Sequence, residues 1–230
     1  MKQILNPYDI VRLIDASLLR PSATSAEITK LCEQAKHYSF AAVFVMPAWL
    51  PLIAKLLKGS GVIVGASIAF PLGTTSTVVK VAETRDAIAS GADQIDMVMN
   101  VGAFKSGDYE MTERDIRAVV EAAQGRVVKV IIETCLLTDE EKRKACLVSK
   151  RAGAHFVKTS SGFSTGGATI EDIALMRRVV GPEMGVKAAG GIRTYKQAMR
   201  MIEAGANGIG TSTPVRIAEG ARRAQAQQRT

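Results

Sequence analysis

The chain has 230 residues, 47% hydrophobic, 23% charged and only 5% aromatic, with a formal net charge of +8. These proportions exclude a disordered or fibrous chain, and the length suits one α/β barrel, which needs roughly 250 residues. Three cysteines without a close pair, only two histidines, and no apolar run near about 18 residues argue against a disulfide scaffold, a zinc site and a membrane span.

The N-terminal residues Met1 to Pro7 carry no apolar signal-peptide core, so a cytoplasmic protein is expected. The basic residues are scattered. The densest clusters, Lys142-Arg143-Lys144 and Arg222-Arg223, read as solvated faces. No basic tract is interleaved with aromatics, so no nucleic-acid partner is expected. The positive balance suits an anionic, phosphorylated substrate.

In chain order, short apolar runs predict strands at 11–15, 42–46, 62–70, 94–100, 127–133, 155–159, 185–189 and 208–211. Between them, helical patterns cover 25–37, 75–90, 111–123, 139–152, 170–180 and 195–204. Gly91-Ala92, Gly153-Ala154 and Gly205-Ala206 each follow a helix, where glycine supplies a left-handed cap and the next strand begins at once. Alternation of strand and helix implies parallel pairing through right-handed crossovers. The expectation is a (β/α)₈ TIM barrel, one domain over 1–230, with a short helical extension at the N-terminus. An open doubly wound sheet is the alternative.

In a barrel, functional groups sit at the C-terminal ends of the strands. Ionisable residues interrupt four apolar runs: Asp96, Lys129 with Glu133, Lys158, and Lys187. The three lysines are spaced 29 residues apart, about one βα unit, which predicts a similar height in the barrel. Buried charge is costly unless paired or used. A stabilising ion-pair network of these residues is the bland reading; the excess of lysine favours chemistry. A lysine attacks a carbonyl only as the free amine, against an unperturbed pKa of about 10.4. A second ammonium and desolvation both lower that value. The resulting iminium is an electron sink for making or breaking a C–C bond. A strand carboxylate such as Asp96 can move protons, and Glu133 can help position it or a lysine. Periodicity alone does not choose the nucleophile among Lys129, Lys158 and Lys187.

Gly190-Gly191-Ile192-Arg193 and Gly210-Thr211-Ser212-Thr213 follow the last two predicted strands, where barrels commonly bind phosphate. Glycine lets backbone N–H groups approach an anion, Ser212 and Thr213 add hydroxyls, and Arg193 adds charge. Residues 162–167, which include three glycines, follow Lys158 and are placed to close over a ligand. Neither a Walker A loop nor a dinucleotide fingerprint is present.

Several runs together resemble the deoxyribose-phosphate aldolase family over nearly the whole chain. They are Ile14-Asp15-Ala16-Ser17-Leu18-Leu19-Arg20-Pro21, Phe70-Pro71-Leu72-Gly73, Gly91-Ala92-Asp93-Gln94-Ile95-Asp96, Lys129-Val130-Ile131-Ile132-Glu133-Thr134, Val157-Lys158-Thr159-Ser160-Ser161-Gly162-Phe163 and Val186-Lys187-Ala188-Ala189-Gly190-Gly191. The resemblance implies reversible cleavage of 2-deoxy-D-ribose 5-phosphate to acetaldehyde and glyceraldehyde 3-phosphate. It also implies a Schiff base on Lys158, proton transfer and pKa tuning by Asp96 and Lys187, no cofactor and no metal, and a homodimer or homotetramer. The implied substrate and phosphate contacts are Asp15, Ser17, Lys129, Thr159, Ser161, Gly190, Gly191, Arg193, Gly210, Ser212 and Thr213.

Three departures stand out. The family's Asp-His-Thr reads Asp15-Ala16-Ser17, its Cys-Val-Asn-Pro reads Phe44-Val45-Met46-Pro47, and the chain ends without the tyrosine some members carry. Ala16, Phe44 and Met46 leave open an aldolase of the same fold acting on another phosphorylated sugar or ketose. A sugar-phosphate binder without catalysis is the third reading.

Overall fold

A computed structural model of the chain describes residues 6–227. The expectations for the first five residues and for the C-terminal Gln228-Arg229-Thr230 lie outside them. Eight parallel strands close into a barrel in chain order: β1 (Ile14–Leu18), β2 (Ala42–Val45), β3 (Ile63–Ile68), β4 (Gln94–Val98), β5 (Val127–Ile131), β6 (Phe156–Lys158), β7 (Gly185–Ala189) and β8 (Gly208–Thr211). The helices are α1 (Ser25–Tyr38), α2 (Leu50–Leu57), α3 (Thr77–Ala89), α4 (Val101–Lys105), α5 (Tyr109–Ala122), α6 (Asp139–Arg151), α7 (Ile170–Val180), α8 (Tyr195–Glu203) and α9 (Pro214–Gln227). The expected TIM barrel is therefore found, closed rather than open.

Capping explains several helix starts. Thr24, Thr138 and Thr194 each accept a backbone N–H three residues on, while Glu27, Glu141 and Gln197 reach back to complete a capping box. The first predicted strand is corrected. Residues 11–13 belong to a 3-10 helix, Pro7–Leu13, which Pro7 starts with a preset φ and Asn6 caps by accepting the Tyr8 N–H at 3.0 Å. This is the expected N-terminal extension, and it packs against α9. The fifth strand also ends early, because Glu133 takes a left-handed φ of 54°. Three helices fall outside the stretches singled out above: α2, which opens on Leu50-Pro51, five-residue α4, and α9 with its alanines and arginines. The Lys142 reading is corrected too: its Nζ sits 2.7 Å from Asp172 and 3.0 Å from Asp139, tying α6 to α7.

The alternation of side chains along each strand divides the molecule into two interiors. Outward-facing residues such as Ile14, Val43, Ile95, Val130, Val157 and Val186 pack beneath the helices in one apolar core. The inside of the barrel is different in kind. It holds Asp15, Asp96, Lys129, Lys158 and Lys187, all buried, beside the rings of Phe44 and Phe156. Glycines make room for these bulky groups. A Cβ at Gly65 would lie 2.5 Å from the Phe44 ring, and one at Gly210 would lie 3.1 Å from Lys187 Cε.

Gly65→Ala should therefore displace the fully buried Phe44 and destabilise the fold by about 1–3 kcal/mol, as overpacking does. Gly208→Ala, whose Cβ would meet nothing nearer than 3.9 Å, should leave the denaturation midpoint nearly unchanged. Equal midpoints for the two variants would contradict this packing account.

Candidate active site

The five barrel charges form one connected cluster. Lys158 and Lys187 are register partners on neighbouring strands, and Asp96 on β4 faces both. Asp96 Oδ2 lies 2.7 Å from Lys158 Nζ and 2.8 Å from Lys187 Nζ. Lys187 Nζ also lies 2.6 Å from Asp15 Oδ2 on β1, and the same oxygen accepts from Lys129 Nζ at 2.9 Å. Lys129 further donates to Gln94 Oε1 at 2.6 Å. The Phe44 ring face lies 4.0 Å from Lys187 Nζ and 4.4 Å from Lys129 Nζ, so its negative quadrupole stabilises both ammoniums.

The expected equal height of the three lysines holds only for Lys158 and Lys187. Lys129 is the register partner of Phe156, one pleat nearer the N-terminal end, while Ile131 stands level with Lys158. Equal spacing in sequence misled here because β5 and β6 pair with an offset that the loop lengths do not reveal.

The cluster contains three potential cations and two carboxylates, so full ionisation leaves one surplus positive charge in a buried interior. Burial pushes the Lys158 pKa down, Asp96 opposes this, and Lys187 and Lys129 add to it; the result is about 8. Burial also lowers the Lys129 pKa, against the pull of Asp15. For Lys187 burial works downward as well, but Asp15 and Asp96 outweigh it and the pKa is raised. Burial raises the carboxyl pKa of Asp96 and Asp15, and the surrounding ammoniums overcome it, so both are held low. Of the two causes expected to lower the Lys158 pKa, burial is the larger and the Lys187 ammonium the smaller. Asp96 Oδ1 accepts no hydrogen bond and stands 3.9 Å from Lys129 Nζ.

Above Lys158, at the C-terminal ends of the strands, a cavity of about 540 Å³ opens. Of the residues expected at the site, Lys158 and Lys187 line it, as do Asp15, Ser17 and Ser161. So do Gly190, Gly191, Arg193, Gly210 and Ser212. Gly190 and Gly191 have φ of 90° and 78°, values that favour glycine. Gly190 also lies against Gly167, where a Cβ on either would strike the other's backbone. Residues 162–167 therefore pack onto the loop after β7.

Four expected site residues stand elsewhere. Asp96 lies below the cavity, reached through the lysines. Lys129 lines a separate cavity of about 140 Å³ at the opposite end of the barrel. The Thr159 hydroxyl donates to Ala189 O at 2.9 Å and accepts the Ala189 N–H at 3.0 Å, so it ties β6 to β7. Thr213 turns to Thr211 Oγ1, 3.3 Å away, and does not line the cavity.

Phe163 and Thr211 line the cavity without having been named as contacts, and Phe44, singled out as a departure from the family, lines it too. Phe163 follows the Lys158 motif directly, and Thr211 sits inside a glycine-rich run already chosen, so position gave a usable signal for both. Glu133 is buried, and its carboxylate accepts the Ser161 N–H at 3.1 Å, which fixes the turn after Lys158. Ala16 packs into the outer apolar core and Met46 does not line the cavity, so of the departures on the first two strands Phe44 alone bears on the site. No group of three His, Cys, Asp or Glu among the described residues is arranged to hold a metal ion.

A buried amine with a depressed pKa on the floor of a cavity, backed by a carboxylate, can form an imine with a carbonyl compound. A rim of glycine N–H groups, Ser212 and Arg193 can take an anion at the other end of that compound. Comparison with known proteins agrees. The family model described as DeoC/LacD family aldolase matches residues 13–212. A deoxyribose-phosphate aldolase of Streptococcus sanguinis is 60% identical, covering 94% of this chain and 96% of that one. One from Thermococcus gammatolerans is also 60% identical, covering 94% and 98%. Among solved structures, a putative deoxyribose-phosphate aldolase from Coccidioides immitis superposes with a TM-score of 0.92 at 41% identity, covering 94% and 87%. The tetrameric deoxyribose phosphate aldolase of Aeropyrum pernix gives 0.88 at 34%, covering 94% and 92%. The chain belongs to the DeoC/LacD family of aldolases.

Proposed function

We propose that this aldolase reversibly cleaves 2-deoxy-D-ribose 5-phosphate to acetaldehyde and D-glyceraldehyde 3-phosphate through a Schiff base on Lys158. The observation that carries the reading is an amine, Lys158, with its pKa lowered to about 8, at the floor of a cavity rimmed by anion-binding groups.

The chemistry follows from that placement. The neutral Lys158 Nζ attacks C1 of the open-chain sugar; the carbinolamine hydroxyl then takes back a proton from the cluster and leaves as water, giving the iminium. Removal of the C3 hydroxyl proton breaks the C2–C3 bond; its electron pair flows into the iminium, giving an enamine and glyceraldehyde 3-phosphate. Protonation at C2 and hydrolysis release acetaldehyde and restore the amine. Asp96 and Lys187 serve the proton transfers, Lys187 at the cavity and Asp96 through the two lysines it contacts. Gly190, Gly191, Arg193, Gly210 and Ser212 hold the phosphate, and Asp15, Ser17 and Ser161 face the sugar hydroxyls.

The same reading makes the protein a cytoplasmic homo-oligomer with no nucleic-acid or membrane partner. The tetrameric relative supports the assembly, and no helix among the described residues is long and apolar enough to cross a membrane. A different phosphorylated sugar was suggested by Ala16 and Met46, and neither bears on the cavity. Phe44 keeps that second reading alive.

A substrate panel decides between them. kcat/KM should be highest for 2-deoxyribose 5-phosphate; a ketose phosphate turning over faster would overturn the assignment. Borohydride in the presence of acetaldehyde should fix an adduct on Lys158, and Lys158→Ala should abolish both adduct and turnover while leaving the fold intact.

Imine formation needs the free amine, so its rate should rise with pH through about 8 and level off above. Lys187→Leu removes the surplus positive charge, so Lys158 stays protonated to higher pH and the profile should move up. Asp15→Asn adds to the surplus and should move it down. Profiles that do not move, or move the other way, would contradict the electrostatic account. Asp96→Asn should lower kcat by about 10²-fold or more, the usual worth of a positioned acid–base group. A near-normal kcat would shift that role to another group.

A further inference from the structure

A phosphate held only by the loops after β7 and β8 is short of positive charge. A phosphate monoester carries about −1.5 to −2 at neutral pH. Glycine N–H groups and the Ser212 hydroxyl offer it dipoles, and Arg193 offers one cation. Lys158 and Lys187 line the same cavity, but their charges are engaged with Asp15 and Asp96. The cavity lining contains one more cation, Arg20, to which the chemistry has given no part.

Barrel closure brings Arg20 beside the other two loops. β1 pairs with β8, with Ala16 level with Thr211, so the loop after β1 borders the loop after β8. Arg193, Ser212 and Arg20 thus stand on consecutive loops, after β7, β8 and β1, and all three line the cavity.

The local sequence holds the side chain there. Arg20 precedes Pro21, which biases its backbone toward extended conformations. Pro21 presets φ for the turn that follows, and the Ala23 N–H closes it by donating to the Arg20 carbonyl at 3.1 Å. Thr24 then caps α1, and the Glu27 carboxylate that completes the capping box also accepts a hydrogen bond from Arg20 Nη2. The Thr24 N–H and the Arg20 guanidinium hold the Glu27 carboxyl down, to about 2, so Glu27 stays ionised wherever Lys158 can shed its proton. As a surface ion pair alone, with side chains 42% and 43% exposed, the two residues would add little to the fold. A guanidinium, however, carries five N–H donors in a planar fork that suits phosphate oxygens. Glu27 engages one of its two terminal nitrogens.

We propose that Arg20 is the second cation of the phosphate site, binding the phosphate from the β1 side while Arg193 binds it from the β7 side, and that Glu27 is the positioning residue for Arg20. The inference deepens the reading of the cavity as a 2-deoxyribose 5-phosphate site and rests on it.

The test compares a phosphorylated with an unphosphorylated sugar. Its readout is the ratio of kcat/KM on 2-deoxyribose 5-phosphate to that on 2-deoxyribose. Arg20→Met keeps an unbranched stem and removes the charge. It should lower the ratio about tenfold or more, as the loss of a charge-assisted hydrogen bond does, with the change residing in KM for the phosphorylated sugar. Arg20→Lys should recover part of the loss, because a point charge still attracts the anion. Glu27→Gln keeps the capping box, which Gln197 completes in the same way on α8, but removes the charge that anchors Arg20. It should lower the ratio by less than Arg20→Met does.

An unchanged ratio in Arg20→Met would overturn the proposal, whether neither sugar or both were affected; an equal loss on both would mean that Arg20 shapes the cavity without binding phosphate. So would a loss carried by kcat alone. An unchanged or higher ratio in Glu27→Gln would overturn the positioning role of Glu27. A parent protein that turned over 2-deoxyribose as well as its 5-phosphate would instead overturn the reading of the cavity, and with it the part given to Arg20.

Discussion

Everything distinctive about this barrel follows from placing three lysines and two aspartates in one buried cluster. Two cations neutralise two anions; the third has no partner of its own. The molecule can relieve that imbalance only by releasing a proton, and the geometry selects which one. Lys187 lies between both carboxylates and keeps its proton. Lys129 shares Asp15 with Lys187 and has the faces of two rings, and burial lowers its pKa too, but it faces the lower mouth of the barrel, away from the larger cavity. Lys158 shares Asp96 with Lys187 and sits at the floor of the larger cavity, so it is the amine that is freed where a carbonyl can reach it.

The rest of the fold serves this cluster. Strand alternation sends the aliphatic residues outward into a single core, which leaves the barrel interior free to be polar. Glycines on β3 and β8 make room for Phe44 and Lys187, giving up side-chain packing in exchange for ring faces and ammonium stems. Glu133, in its left-handed conformation past β5, fixes the turn after Lys158 through the Ser161 N–H. Away from the site, a buried pair of Lys80 on α3 and Asp115 on α5, 2.6 Å apart, also reaches the carbonyl of Val98 at the end of the strand that carries Asp96.

Much of this was legible in the sequence. Eight apolar runs separated by helical patterns gave the barrel, and charges inside those runs gave Asp96, Lys129, Lys158 and Lys187. Where legibility ended, the cause was spatial. The offset between β5 and β6 put Lys129 at the other end of the barrel although its spacing from Lys158 equals that of Lys187. Thr159 and Thr213 have the residue types of ligand contacts, but their hydroxyls are taken by backbone and by Thr211, partners distant in sequence or local in a way periodicity does not encode. Ala16 looked like a change in the site, yet one step along a strand turned it out of the barrel. Residues 11–13 read as strand because they are apolar, and Pro7 with Asn6 made them a helical turn instead.

The central claim is that the surplus proton of the cluster belongs to Lys158. The most direct measurement is a pH titration of the lysine side-chain nitrogens by NMR in the isotopically labelled, unliganded protein, assigned with single-lysine variants. Lys158 should lose its proton first of the three barrel lysines, with a midpoint near pH 8. A Lys158 signal still that of an ammonium at pH 10, or a Lys129 that titrates ahead of it, would contradict the account.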